Sequence, residues 1–143
     1  MSKVSSYLIV AGLIPFVSFT LCLAFGVTAL PLLGSIDQVL GLYSLTIAVF
    51  IAGSHWGQHL VLDDHWTVLL PVTSNITAVI LWLVFLVCSF KVLIFTCVIA
   101  FMFLLGIDYR LFKSGHISSQ YFRMRFIVTA IVCSMLLITG VSS

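Results

Sequence analysis

Residues 71–108 read PVTSNITAVILWLVFLVCSFKVLIFTCVIAFMFLLGID, and Lys91 and the final Asp108 are the only charges among them. A helix needs about 20 mainly apolar residues to cross a bilayer. The stretch holds two such runs, 71–89 and 92–107, parted by Phe90 and Lys91. Runs this long and continuously apolar are helices, because alternating strands would show a period of two and an open sheet edge cannot face lipid. The spacing predicts a tight helical hairpin, or one long helix broken at 90–91.

Working outward, three more runs have the same character: 7–30 (interrupted by Pro15), 39–60 and 126–141. The expected fold is all-α, a polytopic membrane bundle of five transmembrane helices forming a single domain over 1–143. The loops are too short to hold a soluble domain. Lys3 before the first apolar run raises the possibility of a signal peptide. That run exceeds the roughly 7–15 residues of a signal h-region, and no A-x-A cleavage pattern follows, so it reads as a retained helix.

Composition leads to the same class. Hydrophobic residues make up 62% of the chain and charged residues 7%, with a mean hydropathy of +1.31. A soluble domain carries about a quarter charged residues, so the main solvent here is lipid. A net charge of +2, without a basic stripe or interleaved aromatics, gives nucleic acid nothing to bind. Cys22, Cys88, Cys97 and Cys133 form no CxxC and sit in or near apolar runs. They read as small hydrophobes rather than as a disulfide framework or thiol metal site.

The cations set an expected orientation. Lys3, Arg110, Lys113, Arg123 and Arg125 share one end of a five-helix path, and Lys91 stands alone at the other. Basic residues in short loops stay in the cytoplasm. The expectation is an integral inner-membrane protein with a cytoplasmic N-terminus and a periplasmic C-terminus.

That path gathers nearly every ionisable group at one membrane surface. His55, His59, Asp63, Asp64 and His65 fall at the end of the second run and in the loop after it, with Asp108, Arg123 and Arg125 on the same side. These eight are the candidate polar rim. His55 and His59 at i, i+4 can reach one ion, and His55, His59, Asp63 and His65 are the metal candidates. The preferred reading is a hydrogen-bonded polar network with no metal. Buried polar groups need partners, and the HxxxH lacks the glutamate of a metalloprotease. Ser44, Ala48, Ala52, His55 and His59 mark a small, polar face of the second helix. Gly53 and Gly57 form a GxxxG on another face, expected to pack closely against a helix of this chain or of a second copy. Asn75 is expected to face protein. Asn75-Ile76-Thr77 is a sequon inside a span and is set aside. Ser74 has no base at a useful spacing, so no catalytic residue is assigned.

Several stretches together resemble an uncharacterised family of small bacterial inner-membrane proteins with a mitochondrial inner-membrane relative. They are Ala11-Gly12-Leu13-Ile14-Pro15-Phe16, Tyr43 through Gly57, Pro71 opening the third run, and Tyr121-Phe122-Arg123-Met124-Arg125. Where this chain has Ser54, the family often carries a second glycine. The resemblance implies a multi-helix inner-membrane protein and supplies no activity, cofactor or catalytic residue. The functional expectation is a non-enzymatic accessory or assembly subunit of a larger membrane complex. Its partners would be the lipid bilayer and a membrane protein or a second copy. The alternative is a binder of a small amphiphile (a quinone or lipid headgroup) or of a metal ion at the His/Asp rim.

Overall fold

The computed structural model describes residues 3–27, 29–30 and 34–142. Six helices follow one another: α1 (Lys3–Ala11), α2 (Leu13–Ala24), α3 (Ile36–Gln58), α4 (Trp66–Val87), α5 (Phe90–Lys113) and α6 (Ser119–Ser142). A two-residue antiparallel pair, β1 (Ala29–Leu30) and β2 (Gly34–Ser35), lies before α3. Five spans are long and apolar enough to cross a membrane, with α1 and α2 together supplying the first at Tyr7–Ala24. The protein is a helical bundle integral to the membrane.

The helix ends differ from the sequence reading for local reasons. The first helix stops at Ala24 instead of continuing to Leu30, where Gly26 takes a φ of 84° that suits glycine and turns the chain. Thr28, within that expected run, lies outside the described residues. The same helix breaks at Gly12. Pro15 has no N–H to offer Ala11, one turn earlier, and the Tyr43 hydroxyl donates to the neighbouring Gly12 carbonyl at 3.0 Å.

α3 starts at Ile36, ahead of the expected Val39, because Ser35 caps it by accepting from the Gln38 N–H. α4 starts at Trp66, so Pro71 lies inside it rather than opening it. The third and fourth runs form a hairpin, and its turn is Cys88–Ser89. Ser89 caps α5 through Val92 N–H, which leaves Phe90 and Lys91 as the first residues of that helix. α5 then runs on to Lys113 and α6 begins at Ser119, well before Phe126. At 1.5 Å per residue these two helices are each about 36 Å long, so their basic ends extend past the apolar core.

α3 packs on α2, α4 and α5, while α6 packs on α2 and α5. The main core joins Phe16, Leu40, Ala48, Phe101, Val132 and Leu136, among others. Close approach is made by two glycines. A Cβ on Gly41 would lie 3.1 Å from Leu93, and one on Gly140 would lie 3.1 Å from the Phe95 ring. Gly53 and Gly57 do not fill this role within the chain. Both are exposed, and a Cβ on either would meet nothing within 4 Å. The reason is helical phase. The buried stripe of α3 runs through Ser44, Ala48, Ala52 and His55, and residues 53 and 57 lie off it.

Candidate functional site: a buried His–Asp–Arg cluster beside an apolar cleft

Three helices contribute one side chain each to a buried polar cluster. His55 comes from the last turn of α3, Asp108 from α5 and Arg125 from α6. The His55 Nε2 lies 2.8 Å from Asp108 Oδ1, and Arg125 Nε donates to Asp108 Oδ2 at 3.0 Å. An ionised carboxylate only accepts, so the proton on His55 sits at Nε2. His55 and Asp108 are 1% and 0% exposed and Arg125 is 6% exposed.

Each residue is carried inward by its own helix. Asp108 shares a buried stripe with Phe101, Leu104 and Leu111. Arg125 shares one with Thr129, Val132 and Leu136. Arg125 is six residues into α6, about 9 Å at 1.5 Å per residue. Asp108 is likewise set back from the end of α5, whereas His55 belongs to the last turn of α3.

The structure divides the eight expected rim residues. It brings His55, Asp108 and Arg125 together. His59 does not join them. It lies in the 3₁₀ turn after α3, half-buried, with Nδ1 against the Trp56 carbonyl and its ring edge-on to Trp56. Asp63, Asp64, His65 and Arg123 are exposed. The loop does not fold back over His55. Asp64 turns the chain with a φ of 63°, a left-handed conformation that Asp tolerates, and His65 leads directly into α4 beside Trp66. Among the described residues no three His, Cys, Asp or Glu side chains are grouped to hold a metal ion. The expected convergence of His55, His59, Asp63, Asp64 and His65 is corrected in this way. Asn75 is corrected too. It is exposed, and its side-chain N–H donates to the Pro71 carbonyl at 2.8 Å, so its own helix satisfies it.

Sequence reasoning missed a cleft next to the cluster. It holds about 200 Å³ and lies between the first span, α3 and α6. Phe16, Ile47, Phe101 and Val132 form apolar walls, while Ser54, Tyr121, Arg125 and Thr129 supply the polar lining. Leu8 and Phe50, 68% and 74% exposed, edge it toward the surface. Two buried polar atoms on its lining residues have no partner: Arg125 Nη2 and Thr129 Oγ1. Hydroxyls in membrane helices usually bond back to the carbonyl four residues earlier. Ser44, Thr46, Thr96 and Ser134 do so here, and Thr129 does not. His55 Nδ1 is also buried without a partner. The i, i+4, i+7 spacing of Arg125, Thr129 and Val132 was the available signal. It separates the inward Arg125 from the outward Arg123.

The fold and this cluster define a class: a small polytopic helical membrane protein with a buried His–Asp–Arg cluster beside an apolar cleft. The chain belongs to the family described as protein of unknown function DUF3429, whose model matches residues 1–141. Neither the curated proteins nor the solved structures hold a match to it.

Proposed function

We propose that this protein binds a small amphiphile from the bilayer, with the polar head at Arg125 and Thr129 and the apolar tail along the cleft. One observation carries the reading. A guanidinium nitrogen and a hydroxyl, both buried and unpartnered, belong to side chains that line an apolar cleft. An unmet buried donor costs about 1–3 kcal/mol, and a ligand oxygen would recover that cost. Ionisable side chains inside a membrane are expensive and mark functional positions. The sequence-level alternative of an amphiphile binder is thus retained, with the head moved from the exposed His/Asp loop to the cleft. The setting that fits this role is a bacterial inner membrane with the basic helix ends in the cytoplasm.

The test is mass spectrometry of organic extracts from purified protein. Wild type should retain one amphiphile species in near-stoichiometric amount. Val128→Trp and Ile9→Trp, which enlarge lining residues of α6 and α1, should lose it. Equal retention by all three proteins would overturn the reading, since bulk lipid around the bundle would explain it.

A second reading, an accessory subunit of a larger membrane complex, draws on Gly53 and Gly57. Both lie open on α3, and a GxxxG pair allows another helix to come close. Crosslinking from a Cys placed at 53 tests it. A discrete adduct that disappears in Gly57→Leu is the expected result for a subunit or a homodimer. The absence of any adduct would rule the reading out.

A further inference from the structure

We infer that the cleft selects a neutral head group with a ring carbonyl, of the quinone type, and rejects anionic amphiphiles. This rests on the amphiphile reading above and specifies its ligand.

The argument begins with charge. The Arg125 guanidinium is already matched by the Asp108 carboxylate at 3.0 Å, with side-chain exposures of 7% and 1%. His55 Nε2 donates to the other carboxylate oxygen, and its Nδ1 has no partner. The Arg125 cation and the Asp108 anion balance one another. A fatty acid, a sulfonate or a phosphate would add a negative charge with no counter-charge remaining. Burying an uncompensated charge is far more costly than leaving one hydrogen bond unmade.

The unpartnered capacity of Arg125 is donation. Arg125 Nη2 can only donate, because guanidinium has no acceptor. Thr129 lines the same cleft, and its hydroxyl, also unpartnered, has a proton to give. Two donors beside a balanced charge pair suit one neutral acceptor oxygen, a carbonyl. The walls argue for a ring. Phe16 and Phe101 line the cleft and meet edge to face, their centroids 6.3 Å apart. Phe50 edges the mouth. Aromatic surfaces favour a flat partner through offset or edge contacts. About 200 Å³ suits a single small ring, with the tail leaving past Leu8 and Phe50 into lipid.

Thermal unfolding of the full chain in dodecyl maltoside tests this. The probes are a decyl-substituted benzoquinone and decane-1-sulfonate, which share a tail and differ in head charge. A ligand that binds only the folded state raises its stability in proportion to the logarithm of concentration over Kd. The quinone should raise the melting temperature of wild type in a saturable way, and the sulfonate should not. Thr129→Val, close in shape but without the hydroxyl, should fold normally and bind the quinone at least tenfold more weakly. Val128→Trp should abolish the effect. If the sulfonate stabilises wild type but not Val128→Trp, and the quinone does neither, neutral selection is overturned and the cleft reading stands. If quinone binding is equal in wild type and Thr129→Val, the carbonyl contact is overturned. If neither probe stabilises wild type, the cleft reading falls and this inference with it.

Discussion

Asp108 and Arg125 form a buried ion pair between α5 and α6, with 3.0 Å between Arg125 Nε and Asp108 Oδ2. The pair is not by itself a stabilising device, because desolvation offsets most of its attraction. Its asymmetry is what matters. Removing one partner strands the other charge, typically at a cost of about 3–5 kcal/mol, whereas replacing both with apolar groups is often close to neutral. Asp108→Asn and Arg125→Met should each lower unfolding free energy in mixed micelles by about that much. The double variant Asp108→Leu/Arg125→Leu should lose less than either single one. A double variant at least as damaged as the singles would show that packing, not charge, holds this position.

His55 ranks below both. His55→Leu leaves Asp108 and Arg125 paired and removes one hydrogen bond to the carboxylate, the 2.8 Å contact. The expected loss is about 1–3 kcal/mol, measured in the same titration. A loss as large as that of Arg125→Met would mean that the imidazole carries charge in the folded protein.

The glycines divide by contact rather than by motif. Gly41→Leu would place a large side chain where a Cβ already lies 3.1 Å from Leu93 and 3.3 Å from Phe90. Overpacking of this kind costs about 1–3 kcal/mol. Gly57→Leu enters open space and should leave monomer stability within about 0.5 kcal/mol of wild type. Melting curves of the two variants in detergent check the contrast. A clear drop for Gly57→Leu would place another helix against that face.

The five spans were legible because length and continuous apolarity decide them without any tertiary information. The small face of α3 was legible too. Ser44, Ala48, Ala52 and His55 keep helical spacing, and all four are buried. The GxxxG meets no helix within the chain, because a motif shows that close approach is possible and not which face has a neighbour. The loop residues Asp63, Asp64 and His65 were grouped with His55 by nearness in sequence. A left-handed turn at Asp64 and the immediate start of α4 leave them exposed. The cleft was not legible at all. It depends on the α1–α2 break at Gly12 and on which residues of five helices meet, and a single sequence records neither.

Thr20 and Thr139 join α2 and α6 through a buried hydrogen bond of 3.3 Å. Interhelical hydrogen bonds in membranes average only about 0.6 kcal/mol, because polar groups find other partners when helices separate. Thr139 also donates to the Met135 carbonyl at 2.9 Å, so it keeps a partner when Thr20 is changed. Thr20→Val should therefore cost about 0.6 kcal/mol, well below any single change to the ion pair. A loss above about 2 kcal/mol would exceed the largest coupling usual for such a bond, and would make this contact a principal clamp between α2 and α6.

Orientation is the last expected outcome. Five crossings would put residues 3 and 142 on opposite sides of the membrane. Which side is which follows from the cations. Lys3, Arg110, Lys113, Arg123 and Arg125 belong to one end of the bundle and Lys91 to the other. Arg125 is spoken for by Asp108 and is buried, so it weighs less than an exposed loop cation. Arg110, Lys113 and Arg123 are exposed and supply most of the bias. Basic residues in loops this short are retained in the cytoplasm. In a bacterial host, a reporter active only in the periplasm should be active when fused after Ser143 and silent when inserted between Ser114 and Ser118. Neutralising Arg110, Lys113 and Arg123 together should yield a mixed population, with Lys91 left to compete against Lys3. A C-terminal reporter that is silent in wild type would reverse the topology. It would put the α5–α6 turn outside, and the basic end would then face away from the cytoplasm.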